Sequence, residues 1–430
     1  MKIKQLKPYL MLWSTQTLSA LGSGMTSYAL VLWLYLRNGS ALETALLSVC
    51  SYAPYVIMSI FAGALSDRWS KKRTMLFCDL AAALSTVAVL LLIKADALQP
   101  WHLYVLNALN GLMNTIQQPA GEVAATLLIP KEYYQKTSGL RSFSQSMNSI
   151  LTPILATALF AFAGMDLVIV FDLITFAAAF LTLLLLIRIP EQDNAGQPQE
   201  KIFDSARAGL SWLRENPLIS NLILFLACIN LVASVYDAAL PAMLLSRQNG
   251  NETVLGIVNT CVGLATLAGS VLAAFLPAPK NRVKVIYLSL LFSMSSENFL
   301  LAFGKTPPVW CVGAVLGWLF IPVMNANMDV IFRSTIPLRM QGRVYACRNT
   351  LQFFTIPIGF LLGGVLVDSV FEPLMAAQTA DSPLTALFGG EKGAGAAMLF
   401  SVLGAAGVLV CLLFGARLRK YKWSSDAMQS

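Results

Sequence analysis

The chain has 430 residues, 57% of them apolar and only 12% charged, about half the charged fraction of an ordinary soluble protein. That balance excludes a large water-soluble core and describes an all-α integral membrane protein. The net charge of +8 would suit a nucleic-acid partner, but the cations sort by membrane side: with both termini in the cytosol, only Arg37, Lys94, Arg247, Lys305 and Lys392 fall outside, the positive-inside pattern.

Twelve apolar runs approach the ~20 residues that a spanning helix needs. The run from about Pro8 to Leu36 is too long for the core of a cleaved leader and reads as span 1. It carries Gln16, Ser19, Ser23 and Thr26 at helical spacing. Such residues serve either interhelical hydrogen bonding or a cavity, and Gln16 is assigned to a cavity. Span 2 (about 43–65) contains Pro54 and leads into Gly63-Ala-Leu-Ser-Asp67-Arg68-Trp-Ser-Lys71-Lys72-Arg73. Asp67 ends an apolar helix, where the dipole disfavours its charge, so it needs Arg68 or a neighbouring helix N-terminus as partner. Asp79 stands one turn into span 3, within reach of a loop cation.

Span 4 (about 101–129) carries Asn107, Asn110, Asn114 and Gln117 as one stripe. Amides facing lipid are costly, so Asn110, Asn114 and Gln117 are expected to line a cavity. His102, the only histidine, sits beside Trp101 at the outer end as an interfacial residue. Span 5 (about 140–163) repeats the device with Arg141, Gln145, Asn148 and Thr152, and span 6 (about 166–187) holds Asp172 near its outer end as a snorkelling or capping residue. Residues 188–217 break the composition: a polar stretch precedes an amphipathic helix suited to the inner surface. This linker separates a bundle at 1–187 from one at 218–430.

In the second half, span 7 presents Asn230, Ser234 and Asp237 on one face. Span 9 contains Glu297, span 10 Trp318 and Asp329, and span 11 Arg348 and Gln352, preceded by Arg343. The seven cysteines lie in or beside apolar runs without a C-x-x-C pair and read as small hydrophobes. No metal site, nucleotide loop or hydrolase motif is present in the sequence, and no cofactor is expected.

An offset of 207 residues maps Glu122 onto Asp329, Pro130 onto Pro337, Arg141 onto Arg348 and Gln145 onto Gln352. Four matches at one offset describe two six-helix pseudo-repeats, the parallel repeat that places a binding site between halves. The paired residues have a physical use, because an ionisable group in a span needs a partner. Glu122 can meet Arg141, Asp329 can meet Arg343 or Arg348, and Asp67 with Arg68 lies at the same depth. These form either a cytoplasmic gate that breaks on opening or a permanent bridge.

The order G-x-L-x-D-R-x-x-K-K resembles the signature loop between helices 2 and 3 of the major facilitator superfamily of secondary transporters. Leu12-Trp13-Ser14-Thr15-Gln16-Thr17, Leu127-Leu128-Ile129-Pro130-Lys131-Glu132, and Gly342-Arg343-Val344 with Pro357-Ile358-Gly359 resemble its bacterial macrolide-efflux and siderophore-exporter members. The resemblance implies a major facilitator fold of twelve spans in a bacterial inner membrane and no enzymatic reaction. It also implies export of a bulky amphipathic molecule in exchange for protons, with the proton gradient as the energy source. The substrate cavity is assigned to Gln16, Asn110, Asn114, Gln117, Gln145, Asn148, Asn230, Trp318 and Gln352, and proton coupling to Asp237 or Glu297. The partners expected are a small molecule, protons and lipid, with no nucleic acid and no second copy. Nutrient uptake and a non-transporting sensor are the competing readings.

Overall fold

The structure, a computed structural model, describes residues 3–129, 134–190 and 202–420. Of Gly63, Asp67 and Arg68 it describes only the helical backbone; their contacts, like Pro130 and the polar linker stretch at 191–201, lie outside the described residues. Every described element is helical, as a chain in hydrocarbon requires: helices satisfy their backbone donors and acceptors within one segment.

The first helices are α1 (Ile3–Asn38), α2 (Ala41–Arg68), α3 (Lys71–Lys94), α4 (Pro100–Leu128) and α5 (Tyr134–Leu181), the last followed by a π turn at Thr182–Leu186. The polar stretch after span 2, expected to leave the helix at about residue 65, is helical for most of its length. Helix α2 runs through Arg68 and α3 begins at Lys71, leaving only Trp69 and Ser70 between. Spans 5 and 6 are the two arms of α5, folded at Ala163 and Gly164, where Gly164 takes φ +70°. An L side chain rarely adopts that backbone conformation. At the outer end of α4, the Gln99 N–H donates to His102 Nδ1 at 3.0 Å, so the one histidine caps a helix.

Helix α6 (Ile202–Glu215) is the expected amphipathic segment, with Leu213 buried. Then come α7 (Pro217–Ser246), α8 (Glu252–Phe275) and α9 (Arg282–Phe303). Span 10 is divided at Phe320 into α10 (Pro307–Leu319) and α11 (Ile321–Thr335). Span 11 is divided at Phe354 into α12 (Leu338–Phe353) and α13 (Thr355–Val365), continued by a π turn at Leu366–Phe371 and α14 (Glu372–Ala376). Short α15 (Pro383–Phe388) precedes α16 (Ala394–Leu418). Pro322 and Pro357 lie just past the two breaks, and proline removes the backbone donor a continuous helix would use.

Among the described residues, ten helical stretches are long and apolar enough to cross a membrane. One of them, Phe143–Leu186, is 44 residues long and contains both arms of α5. Helix α4 falls outside the ten because its amides lower its hydropathy. The architecture is consistent with twelve spans.

The chain divides into two compact units, Met1–Leu34 with Leu47–Ile202, and Tyr35–Leu46 with Phe203–Ser430. The division at Ile202 falls inside the linker expected at 188–217. In the first unit, Met25 and Ala29 of α1, Leu103 of α4 and Ala156, Val168 and Ile169 of both α5 arms form one buried cluster. In the second, α7 and α9 are central: α13 and α16 pack on α7, while α10 and α16 pack on α9. The segment Tyr35–Leu46 joins this unit through Asp368, which accepts from Ser40 Oγ at 2.6 Å, Ala41 N at 3.0 Å and Leu42 N at 2.9 Å. Those are orphan donors of the α2 N-terminus, satisfied by a carboxylate the dipole favours.

Arg247, beyond the end of α7, is buried; its Nη1 donates to Gly304 O at 2.8 Å and its Nη2 to Phe388 O. The guanidinium thus ties α7 to the α9–α10 turn and to α15. Loss of a charged hydrogen bond with a buried carbonyl left over costs about 2 kcal/mol. Arg247→Ala should therefore lower the unfolding temperature of detergent-solubilised protein, and Arg247→Lys, which reaches one carbonyl, should lower it less. An unchanged unfolding temperature for Arg247→Ala would exclude the clamp.

Candidate functional site

The first unit holds a cavity of about 530 Å³ between α1, α3, α4 and the second arm of α5. Helix α1 contributes Gln16, Ser19 and Ser23; α3 contributes Asp79, Ala82, Ala83 and Thr86; α4 contributes Asn114, Gln117 and Gln118; α5 contributes Asp172, Leu173 and Phe176. The α3 positions recur at i, i+3, i+4 and i+7, one helix face. Among the described residues, neither lysine, arginine nor histidine lines this space. A second cavity of about 410 Å³ shares Gln16, Ala20, Gln117 and Gln118 with the first and continues past Trp13 and Tyr9 to Glu122, Arg141, Gln145 and Asn148.

The two carboxylates of the first cavity are held differently. Asp79 is half-buried; its Oδ2 accepts from Gln16 Nε2 at 3.2 Å and its Oδ1 from Gln117 Nε2 at 2.5 Å. Its expected partner, a cation of the α2–α3 turn, is not the one it finds: two amides from α1 and α4 converge on it instead. Asp172 is fully buried rather than snorkelling. It accepts from Ser23 Oγ at 3.0 Å, Thr26 Oγ1 at 2.9 Å and Thr86 Oγ1 at 3.4 Å. Gly22 makes that approach possible, since a Cβ there would lie 2.9 Å from Asp172 Cα and 2.4 Å from Thr175 Oγ1.

Of the residues assigned to a cavity from sequence, Gln16, Asn114, Gln117, Gln145 and Asn148 line one or both. Asn110 lines neither; it stands one turn above Asn114, and its Oδ1 is buried without a partner. Asp79 and Asp172 were read as structural, because the stripe on α1 did not reveal which neighbour its hydroxyls and amides serve.

Toward the C-terminal end of α4, Arg141 Nη2 lies 2.7 Å from Glu122 Oε1, with both side chains about half-exposed. The counterpart expected in the second half is not made. Asp329 is exposed and forms no ion pair with another described residue. Arg348 Nε donates to Gln352 Oε1 at 3.0 Å, and its guanidinium lies 4.6 Å from the centre of the Phe332 ring, a cation–π contact that occupies the charge. Arg343 is half-buried on α12, with Met340 Sδ at 3.8 Å. Lys71 and Lys72 each reach backbone carbonyls. Lys71 Nζ donates to Trp69 O at 3.4 Å, and Lys72 Nζ to Leu184 O at 2.9 Å and Ile187 O at 2.7 Å. Lys72 therefore caps the C-terminal end of span 6, where the dipole favours a cation.

In the second unit, Glu297 of α9 is buried. Its Oε1 accepts from Tyr236 Oη at 2.6 Å and Trp318 Nε1 at 3.1 Å. Gly317 sits against it: a Cβ there would come within 2.2 Å of Glu297 Oε2. Asp237, next to Tyr236 on α7, is exposed and makes no hydrogen bond to the described residues. Asn230 Nδ2 donates to Gln352 O at 3.1 Å, so Asn230, Arg348 and Gln352 form one network between α7 and α12. No group of three metal-ligating side chains occurs among the described residues.

A family profile described as Major Facilitator Superfamily matches residues 12–236. Macrolide efflux protein A of Streptococcus pyogenes is 23% identical over 363 residues, covering 84% of this chain and 89% of that protein. The enterobactin exporter EntS of Citrobacter koseri is 21% identical over 373 residues, covering 84% and 86%. Among solved structures, a bacterial homologue of the human lysosomal transporter Spinster superposes with a TM-score of 0.70 at 14% identity, over 97% of this chain and 98% of that one. That likeness concerns the fold.

A half-exposed ion pair contributes ~0–1 kcal/mol. Glu122→Gln should therefore unfold within a few degrees of wild type, yet slow substrate movement several-fold if the pair is remade in each cycle. Unfolding by tryptophan fluorescence, paired with efflux from loaded cells, separates the two effects. Wild-type turnover in Glu122→Gln would leave the pair a static bridge.

Proposed function

The chain belongs to the Major Facilitator Superfamily, and on that premise we propose that it is a proton-coupled exporter of a bulky amphipathic small molecule, working by alternating access in a bacterial inner membrane. The cavity of the first unit carries this reading. At about 530 Å³ it has the size of a small-molecule site, and it sets amides, hydroxyls and carboxylates beside Leu173 and Phe176. A ligand with polar and apolar faces suits that wall. The relatives named for macrolide efflux and enterobactin export support export of such a molecule.

Coupling needs an acid that gains and loses a proton between the two access states. Glu297 suits the part better than Asp237. It is buried in a spanning helix, and two neutral donors from α7 and α10 hold one of its oxygens. No cation pairs with it among the described residues. An unpaired ionisable group at such depth is costly to keep charged, so movement of either donor helix would change which protonation state is favoured. The proton gradient is the energy source in this reading, with no cofactor, and a single copy with both termini in the cytosol supplies the pathway.

Everted vesicles with an acidified lumen test the proposal. Wild-type protein should accumulate a substrate from a panel of macrolides, dyes and siderophores while lumenal protons leave, as read by a pH-sensitive dye. Glu297→Gln should bind the same compound but lose gradient-driven accumulation by tenfold or more. Accumulation that ignores the gradient would remove proton coupling, and silence across the panel with folded protein would remove drug-like export.

A further inference from the structure

The cavity of the first unit contains more negative charge than its surroundings answer. Two carboxylates face a space that, among the described residues, no lysine, arginine or histidine lines. Asp172 is spoken for: it is buried, and three hydroxyls from α1 and α3 occupy both of its oxygens. It serves as a tie between helices. Asp79 differs in two respects. It is only half-buried. Each of its oxygens takes one amide donor, whereas an ionised carboxylate offers about four acceptor sites. The amides of Gln16 and Gln117 also fix its orientation without neutralising it, and both amides line the same cavity.

A charged group left without a counter-ion inside a membrane is costly and marks a functional position. The missing element at Asp79 is a cation, and the room for it is already present. Phe176 lines the same space, and the face of an aromatic ring attracts an organic cation.

We propose that the Asp79 cavity recognises organic cations: the positively charged head of an amphipathic substrate sits against the Asp79 carboxylate, held open for it by Gln16 and Gln117, with its apolar body against Leu173 and Phe176. This rests on the reading of the chain as a transporter of amphipathic molecules and names the substrate class. Asp79 is a specificity residue here, Gln16 and Gln117 are positioning residues, and Asp172 is the structural tie.

The test uses purified full-length protein and two probes of related shape, tetraphenylphosphonium, a permanent cation, and triphenylphosphine oxide, which is neutral. Wild type should bind the cation at least tenfold more tightly than the neutral compound. Asp79→Asn should lose that preference, its affinity for tetraphenylphosphonium falling at least tenfold further than its affinity for triphenylphosphine oxide, and Asp79→Glu should recover part of it. Carbodiimide labelling of Asp79 in wild-type protein, read by mass spectrometry, provides a check that needs no variant to fold. Tetraphenylphosphonium should protect Asp79, and triphenylphosphine oxide should not. Undiminished cation binding by Asp79→Asn, equal loss of both probes, or absence of protection would overturn the proposal. Those results with vesicles that still exchange a neutral compound for protons would leave the export reading intact. Vesicles inert to the whole panel would count against export itself.

Discussion

A polar side chain inside hydrocarbon has no water to turn to, so its partners have to come from other helices. Most of the packing described above answers that requirement. Asp172 gathers hydroxyls from α1 and α3, Glu297 gathers a phenol and an indole from α7 and α10, and Gln352 joins Arg348 to the face of α7 that carries Asn230. Apolar contact alone discriminates little between helix faces in a membrane, because lipid tails are as apolar as leucine. The buried polar groups therefore specify which face meets which neighbour, and glycines such as Gly22 and Gly317 allow the backbones to come close enough for those bonds.

The two halves share a framework and differ at their chemistry. The repeat at 207 residues relates Glu122 to Asp329 and Arg141 to Arg348, yet among the described residues Glu122 pairs with Arg141 while Asp329 forms no ion pair. In the second half, Phe332 and Gln352 occupy the arginine. Asp79, Asp172 and Glu297 have no acidic counterpart in the other half. At that offset Asp79 maps onto Ile286, Asp172 onto Thr379, and Glu297 back onto Leu90. An acid confined to one half can give that half its own task, and the proposed division puts cation recognition in the first and proton exchange in the second.

Much of this was legible in the sequence, for reasons that also explain the rest. Span length and the sorting of Lys and Arg depend on the bilayer, which acts on every segment alike, so the all-helical membrane fold could be read from composition and position. The α4 stripe worked for Asn114 and Gln117 because the face of one helix follows from spacing alone. It overshot at Asn110, since spacing does not show how far along the helix a cavity extends. Asp79 and Asp172 were misjudged because their partners lie 38 to 149 residues away, and no local pattern reports which of several polar helices will meet. The short turn after α2 escaped for the opposite reason: polar residues at a helix end can remain helical, and polarity was read as a loop.

The bend at Ala163 and Gly164 joins the two arms of α5 with almost no intervening chain. A longer connection would have slack, and one arm could shift while the other stayed still. Here the arm bearing Arg141 and Asn148 and the arm bearing Asp172 pack against each other through Ala156, Val168 and Ile169, so the partner of Glu122 and a wall of the cavity belong to one hairpin.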